Sequence, residues 1–89
     1  MPRVTFPQVL QRHVSCPPVT VDGATVRAAL EAAFVIYPEV RGYLLDDTGA
    51  LRQHVTVFVD GVVVRDRTRL QTRVAAGAAI DVLQALSGG

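Results

Sequence analysis

The stretch Val55-Thr56-Val57-Phe58-Val59-Asp60-Gly61-Val62-Val63-Val64 decides the fold. Its first half alternates in the way that is typical of a half-buried strand and is rich in β-branched residues. Asp60-Gly61 is a two-residue loop of the kind that favours a tight hairpin turn, and three further valines follow it. This turn fixes the register and places Phe58 opposite Val63, so the stretch predicts an antiparallel β-hairpin.

The two faces of this hairpin differ in their side chains. Five valines share one face and are expected to pack beneath a helix: Val55, Val57, Val59, Val62 and Val64. Thr56, Phe58 and Val63 lie on the opposite face, which we call the open face, where the sequence offers no second helix to cover them. An exposed Phe58–Val63 pair is therefore predicted.

One main helix is predicted between Thr25, which can cap its first turn, and Pro38, which ends it. Its apolar stripe has helical spacing and consists of Val26, Leu30, Ala33, Phe34 and Tyr37. A short helical turn is expected over Glu39–Leu45. Asp46-Asp47-Thr48-Gly49 reads as a polar turn before the chain becomes extended again.

The first residues predict an opening hairpin. Its strands are Arg3–Phe6, limited by Pro7, and Val19–Val21, closed by the Asp22-Gly23 turn. After Pro7 we expect a turn that starts at Val9 and Leu10.

The final strand is predicted over Ile80–Leu86, with Leu83 on the open face beside Phe58. An arginine-rich connection precedes it, in which Leu70 and Val74 anchor into the core. The pattern as a whole predicts an α+β domain, in which a mixed sheet of four to five strands packs on one main helix.

Composition narrows the function classes. The chain has 89 residues, of which 49% are hydrophobic and 19% are charged, and its formal net charge is +1. One domain is expected, without a membrane span or a signal segment, and a cytoplasmic location follows. A charge this small, with no basic run interleaved with aromatic residues, argues against a nucleic-acid partner.

Few residues offer chemistry of their own. Cys16 is a single cysteine, so no internal disulfide is indicated. His13 and His54 have no cysteine or acidic partner at metal-binding spacing, so no metal site is indicated and we treat both histidines as structural. Cys16 is left out of the candidate site. Arg65, Arg67, Arg69 and Arg73 form a basic cluster that suits a solvated face or the steering of an acidic partner. All nine basic residues are arginine, so the chain has no lysine.

The chain resembles sulfur carriers of the ThiS and MoaD type, which have the β-grasp, or ubiquitin-like, fold. The resemblance rests on the order of elements and on five stretches: Val21-Asp22-Gly23-Ala24-Thr25-Val26, Pro38, the Gly49 turn before Val55–Gly61, Leu70-Gln71-Thr72, and Gly77 through the terminal Gly88-Gly89. The chain departs from the pattern at Ala78-Ala79, where many relatives are acidic, and at Gln84-Ala85, where a proline pair is frequent. These departures leave some partner contacts and the stiffness of the tail open.

The resemblance implies a β-grasp domain over residues 1–86 and a flexible tail over 87–89. In the family a partner adenylyltransferase, which resembles ubiquitin-activating enzymes, uses ATP and magnesium to activate the C-terminal glycine. A sulfur donor then converts it to a thiocarboxylate, which an acceptor synthase uses. Gly89 would carry the acyl group and Gly88 would allow access, while Leu86 and Ser87 line the channel entrance. Phe58, Val63 and Leu83 would contact the partner.

On this interpretation the chain is a carrier and not an enzyme, and it binds no cofactor itself. The longer segment between the helix and the third strand favours carriers of the molybdopterin-synthase small-subunit type or of the cysteine pathway over those of the thiamine pathway. Two alternatives stay open. The chain could be a ubiquitin-like modifier that forms isopeptides through the same tail, or a β-grasp interaction subunit whose glycines are only a frayed end.

Overall fold

The computed structural model describes residues 1–85. Eight elements follow one another along this part of the chain. They are β1 (Arg3–Thr5), α1 (Gln8–Gln11), β2 (Val19–Thr20), α2 (Val26–Ile36), α3 (Pro38–Leu44), β3 (Val55–Val59), β4 (Val62–Val63) and β5 (Ala79–Gln84). Among them no helix is long and apolar enough to cross a membrane.

The five strands form one mixed sheet in the order β2-β1-β5-β3-β4. The first and last strands, β1 and β5, lie side by side and run parallel, whereas the other neighbours are antiparallel. This central pair joins the N-terminal hairpin to the β3–β4 hairpin. The predicted α+β architecture is thereby confirmed, with five strands in the sheet.

The decisive hairpin has the predicted register. Phe58 pairs with Val63 and Val59 with Val62, and the Val64 amide donates to the Val57 carbonyl at 2.8 Å. The two turn residues have positive φ angles of 49° for Asp60 and 83° for Gly61. Such angles suit a primed turn, whose twist matches that of the strands it joins.

The main helix begins where the sequence indicates. The Thr25 hydroxyl accepts a hydrogen bond from the Ala28 amide at 3.1 Å and so satisfies one free donor of the first turn. Helix α2 ends at Ile36, and Pro38 occupies the first turn of α3. Proline is tolerated there because the first helical amides have no partner within the helix. The expected short turn over 39–45 is thus a two-turn helix.

The core lies between α2 and one face of the sheet. Val55, Val57 and Val64 are buried as predicted, and Val59 is half-buried against the core. The prediction for Val62 is wrong, because 68% of its surface is exposed. Val62 does share the helix-facing side of the sheet, but it lies at the tip of an edge strand, where no core residue covers it.

The segment after Pro7 is helical, where only a turn was expected. In α1 the Leu10 side chain is buried in the core. Gln11 then fixes the next loop, because its side-chain amide donates to the Cys16 carbonyl at 2.6 Å and its carbonyl oxygen accepts from the Cys16 amide at 3.3 Å. These contacts explain why the long β1–β2 connection stays packed against the domain.

Candidate functional site

The exit of the C-terminal segment is the first part of the candidate site. Strand β5 ends at Gln84, and the Ala85 amide donates to the His54 carbonyl at 2.8 Å. The chain therefore leaves the sheet beside the start of β3. The strand was predicted to reach Leu86, but that residue and the predicted tail positions Ser87, Gly88 and Gly89 lie outside the described residues.

The three predicted contact residues, Phe58, Val63 and Leu83, do share the open face, and we call them the open-face patch. Val63 pairs with Phe58 across the hairpin, and Leu83 pairs with Thr56 on the same face. Val63 is 42% exposed and Leu83 51% exposed. Phe58 is half-buried, so the prediction of an exposed pair is correct for Val63 and wrong for Phe58.

A groove continues this patch toward α1. The sheet contributes Phe58, Gly61 and residues 81–84 to its lining, and the first segment contributes residues 5–9 together with Gln11 and Arg12. Sequence reasoning missed the contribution of α1, because four helical residues are too few to show a period. The proline directly before Gln8 was the available signal.

An acidic side chain lies beside the open-face patch. Asp81 pairs with Phe58 on β3 and with Thr5 on β1, which places its half-buried carboxylate in the middle of the open face. Two residues further along β5, Leu83 points to the same side of the sheet because side chains alternate along a strand. The open face therefore combines apolar side chains with a carboxylate.

The basic cluster lies on the connection before β5. Arg65, Arg69 and Arg73 are exposed, whereas Arg67 is half-buried and donates to the Arg52 carbonyl at 2.7 Å. The ion pairs found within residues 1–85 join Arg27 and Arg41 to Glu31 and involve none of this cluster. The side chains of Arg65, Arg69 and Arg73 therefore present their charge to solvent, as both interpretations of the sequence require.

Cys16 is fully buried, and this burial raises the pKa of its thiol above the usual value. A buried, protonated thiol is a poor nucleophile, which agrees with leaving Cys16 out of the site. Within the described part of the chain, no three His, Cys, Asp or Glu side chains are close enough together to hold a metal ion.

The comparison with protein families decides the relationship. A model described as the ThiS family matches residues 10–89, which includes β5 and the sequence through Gly88-Gly89. The chain belongs to the ThiS family. Among curated protein sequences, no significant match was found for this ThiS-family chain.

Solved structures share its fold over nearly the whole chain. The BexX/CysO complex of Amycolatopsis orientalis matches with 24% identity and a TM-score of 0.85, covering 100% of both chains, and shows the shared fold alone. SAMP1 of Haloferax volcanii matches with 26% identity and a TM-score of 0.83, covering 99% of this chain and 98% of that one. CysO of Mycobacterium tuberculosis matches with 26% identity and a TM-score of 0.82, covering 97% and 100%.

These likenesses confirm the ubiquitin-like β-grasp fold that the sequence predicted. The ThiS-family chain is similar to small carrier and modifier proteins. The Amycolatopsis structure contains CysO together with another protein, BexX.

Proposed function

We propose that the chain is a cytoplasmic sulfur carrier whose Gly89 carboxylate is adenylated by a partner enzyme and then converted to a thiocarboxylate. The observation that carries the proposal is the ThiS-family match, which runs through the Gly88-Gly89 pair. The order of the β-grasp elements supports it, because β5 is the last strand and ends four residues before Gly88 in the sequence.

The chemistry needs an activated acyl group. A carboxylate is a poor electrophile, so one of its oxygens first attacks the α-phosphorus of ATP and displaces pyrophosphate. Hydrosulfide supplied by the donor then forms a C–S bond at the acyl carbon, AMP leaves, and loss of a proton to water gives the thiocarboxylate. The partner enzyme supplies ATP, magnesium and positive charge, while Gly88 and Gly89 contribute a backbone without Cβ atoms that a narrow channel can accept.

The reach of the chain explains why a docking surface is needed. Four residues follow Ala85, and a fully extended chain spans at most about 3.6 Å per residue, or about 14 Å here. The partner must therefore contact the domain near the end of β5. In this proposal the open-face patch binds the activating enzyme and the acceptor synthase, and Leu86 and Ser87 line the channel entrance. Exposed apolar side chains often mark such surfaces.

Among carrier pathways, we favour the molybdopterin-synthase small-subunit type or the cysteine-pathway type over the thiamine pathway. The segment between α2 and β3 spans residues 37–54 and accommodates α3, which agrees with the longer carriers. Identifying the adenylating enzyme that copurifies with the chain would distinguish these pathways.

Intact-protein mass spectrometry of the chain purified from its native host tests the proposal. The expected result is a fraction of molecules in which one sulfur replaces one oxygen, and fragmentation should localise this change to Gly89. A variant that lacks Gly88 and Gly89 is the control. A terminus that stays unmodified in sulfur-replete cells that express the pathway would contradict the proposal.

A second candidate function is protein modification. The structural likeness to Haloferax SAMP1, a small archaeal modifier protein, at 26% identity favours it. In this case the activated Gly89 acyl group is transferred to a lysine of another protein. Affinity purification under denaturing conditions distinguishes the two functions, because only a modifier leaves adducts that survive denaturation and contain a Gly89–lysine isopeptide.

A further inference from the structure

The absence of lysine limits which amines of this chain could attack an activated C-terminal glycine. Nine arginines carry the basic charge, so the α-amino group of Met1 is the one aliphatic amine in these 89 residues. An amine is the group that would convert an activated glycyl ester or thioester into a lasting amide. A guanidinium group does not do so, because it stays protonated in proteins.

The Met1 amine lies at the far end of the sheet from the exit of the tail. Its ammonium group donates a 2.5 Å hydrogen bond to the Ala76 carbonyl, three residues before β5 begins. Arg3 pairs with Ala79, the first residue of β5, and the two strands run parallel. Parallel pairing therefore holds Met1 beside the start of β5, while the chain leaves the sheet at its end.

The distances exclude contact between the two ends. Strand β5 from Ala79 to Gln84 advances five residues at about 3.3 Å each, which is about 17 Å. The four residues after Ala85 span at most about 14 Å even when fully extended. Because Met1 is bonded still further back, at Ala76, the Gly89 carbonyl carbon cannot reach its amine within one folded molecule.

The other strong nucleophile, the thiol of Cys16, is not accessible to the acyl group. The Cys16 sulfur is buried in the core behind the loop that Gln11 holds. The exposed His54 lies opposite Ala85, but attack by its imidazole gives an acyl-imidazole that water reopens to the carboxylate. Within residues 1–85, the amine of Met1 and the thiol of Cys16 are thus both kept away from the acyl group.

On the basis of the proposed function, we infer that this chain protects its activated Gly89 acyl group from capture by its own amines. The reaction that is avoided is attack of an Nζ on the acyl carbon, which forms a C–N bond, breaks the bond to the leaving AMP or thiol, and releases a proton to water. It would close the tail into a lactam and end the carrier cycle. The activated group is consequently left for the partner enzyme or for an acceptor on another protein.

The test uses the full chain with a chemically installed thioester at Gly89, made by thiolysis of an intein fusion. No partner enzyme is required, so the result does not depend on whether Gly89 is activated in cells. The variant H54K places one amine opposite Ala85, and H54R is its matched control because it adds a cation without a nucleophile. The variant R73K adds an amine at the Met1 end, because the exposed Arg73 lies three residues before Ala76, whose carbonyl accepts the hydrogen bond from the Met1 ammonium group.

Each thioester is incubated at mildly alkaline pH and followed by intact mass, which separates the hydrolysed acid from a lactam that is lighter by one water. Wild type, H54R and R73K should give acid, and H54K should give at least about tenfold more lactam, because an intramolecular amine has a high effective concentration. Q53K, at the exposed neighbouring position, serves as a second near-tail variant should H54K fail to fold. The inference would be overturned if wild type or R73K formed as much lactam as H54K. It would also be overturned if neither H54K nor Q53K formed any lactam.

Discussion

The guanidinium group of Arg27 donates a 2.6 Å hydrogen bond from Nη2 to the carbonyl oxygen of Gly49. The same side chain donates to the carbonyl oxygens of Thr68 at 2.9 Å and Arg69 at 3.2 Å. One residue of α2 thus connects the turn before β3 with the loop before β5, which lie 22 and more than 40 residues away in sequence. This arginine has a role that the predicted apolar stripe of the helix did not indicate.

Replacement of Arg27 by alanine should therefore destabilise the fold by about 1–3 kcal/mol, because three carbonyl groups lose a charged donor. The free energy of unfolding in urea measures the effect. R41A is the matched control: Arg41 is in the neighbouring helix and also pairs with Glu31, but the contacts found for its side chain are an exposed ion pair and a cation–π contact with Phe34. It should cost less than about 1 kcal/mol. Equal losses in the two variants would contradict this role for Arg27.

Gly23 is expected to be sensitive to the smallest substitution. A Cβ atom at this position would lie 2.5 Å from the backbone nitrogen of Ala29 and 2.8 Å from its Cα, so G23A must displace the first turns of α2. We expect a loss of about 2 kcal/mol or more in the free energy of unfolding. In G42A the new Cβ meets nothing within 4 Å and lies inside α3, so this control should gain about 0.5–1 kcal/mol. An unchanged free energy of unfolding in G23A would show that the close approach of Gly23 to Ala29 is not required.

Asp66 should contribute to the pH dependence of stability. Hydrogen bonds from the amides of Gln71 at 2.8 Å and Arg69 at 3.0 Å lower the pKa of its carboxyl group below the usual 3.8. Because the pKa is lower in the folded state, the contribution is complete above about pH 4 and is lost as pH falls through the lowered value.

D66N should therefore be less stable than wild type near neutral pH, and the difference should shrink as the solution is acidified below about pH 4. Urea unfolding at a series of pH values measures it. D47N, at an exposed position of the turn before β3, is the control, and its free energy of unfolding should differ from that of wild type by the same amount at every pH. A D66N deficit that stays constant with pH would exclude the carboxylate as its source.

The open-face patch is expected to affect partner binding more than stability. Leu83 is 51% exposed, so L83E should change the free energy of unfolding by less than about 1 kcal/mol. It should weaken binding to the cognate activating enzyme at least about tenfold, because a charge replaces an apolar contact. Pyrophosphate exchange against carrier concentration measures this effect. V35E, at an 80% exposed position on the helix layer, is the control and should bind normally. Similar binding by both variants would place the interface elsewhere.

Much of the fold could be predicted because its signals are local. The Thr25 cap, the Pro38 boundary and the Asp60-Gly61 turn each act within a few residues, and all three have the predicted roles. The family resemblance was predicted from the same signals and from Gly88-Gly89, and the family comparison confirmed it.

The errors concern burial and the first connection, which local signals do not fix. Strand alternation places Val62 on the side of the sheet that faces the core, but it lies at an edge and is exposed. Phe58 is half-buried on a face that was expected to be uncovered. Helix α1 escaped prediction because its stability comes from Leu10 in the core and from the Gln11 contacts with Cys16 rather than from its own length.

The sequence by itself determined the main helix α2, the register of the β3–β4 hairpin and the absence of lysine, since backbone preferences and side-chain alternation act over short distances. Only the tertiary structure decided that β1 lies parallel to β5. That pairing joins residues about 76 positions apart, and no local pattern encodes it because it depends on how the whole sheet covers the core. It is also what keeps the Met1 amine beyond the reach of the diglycine.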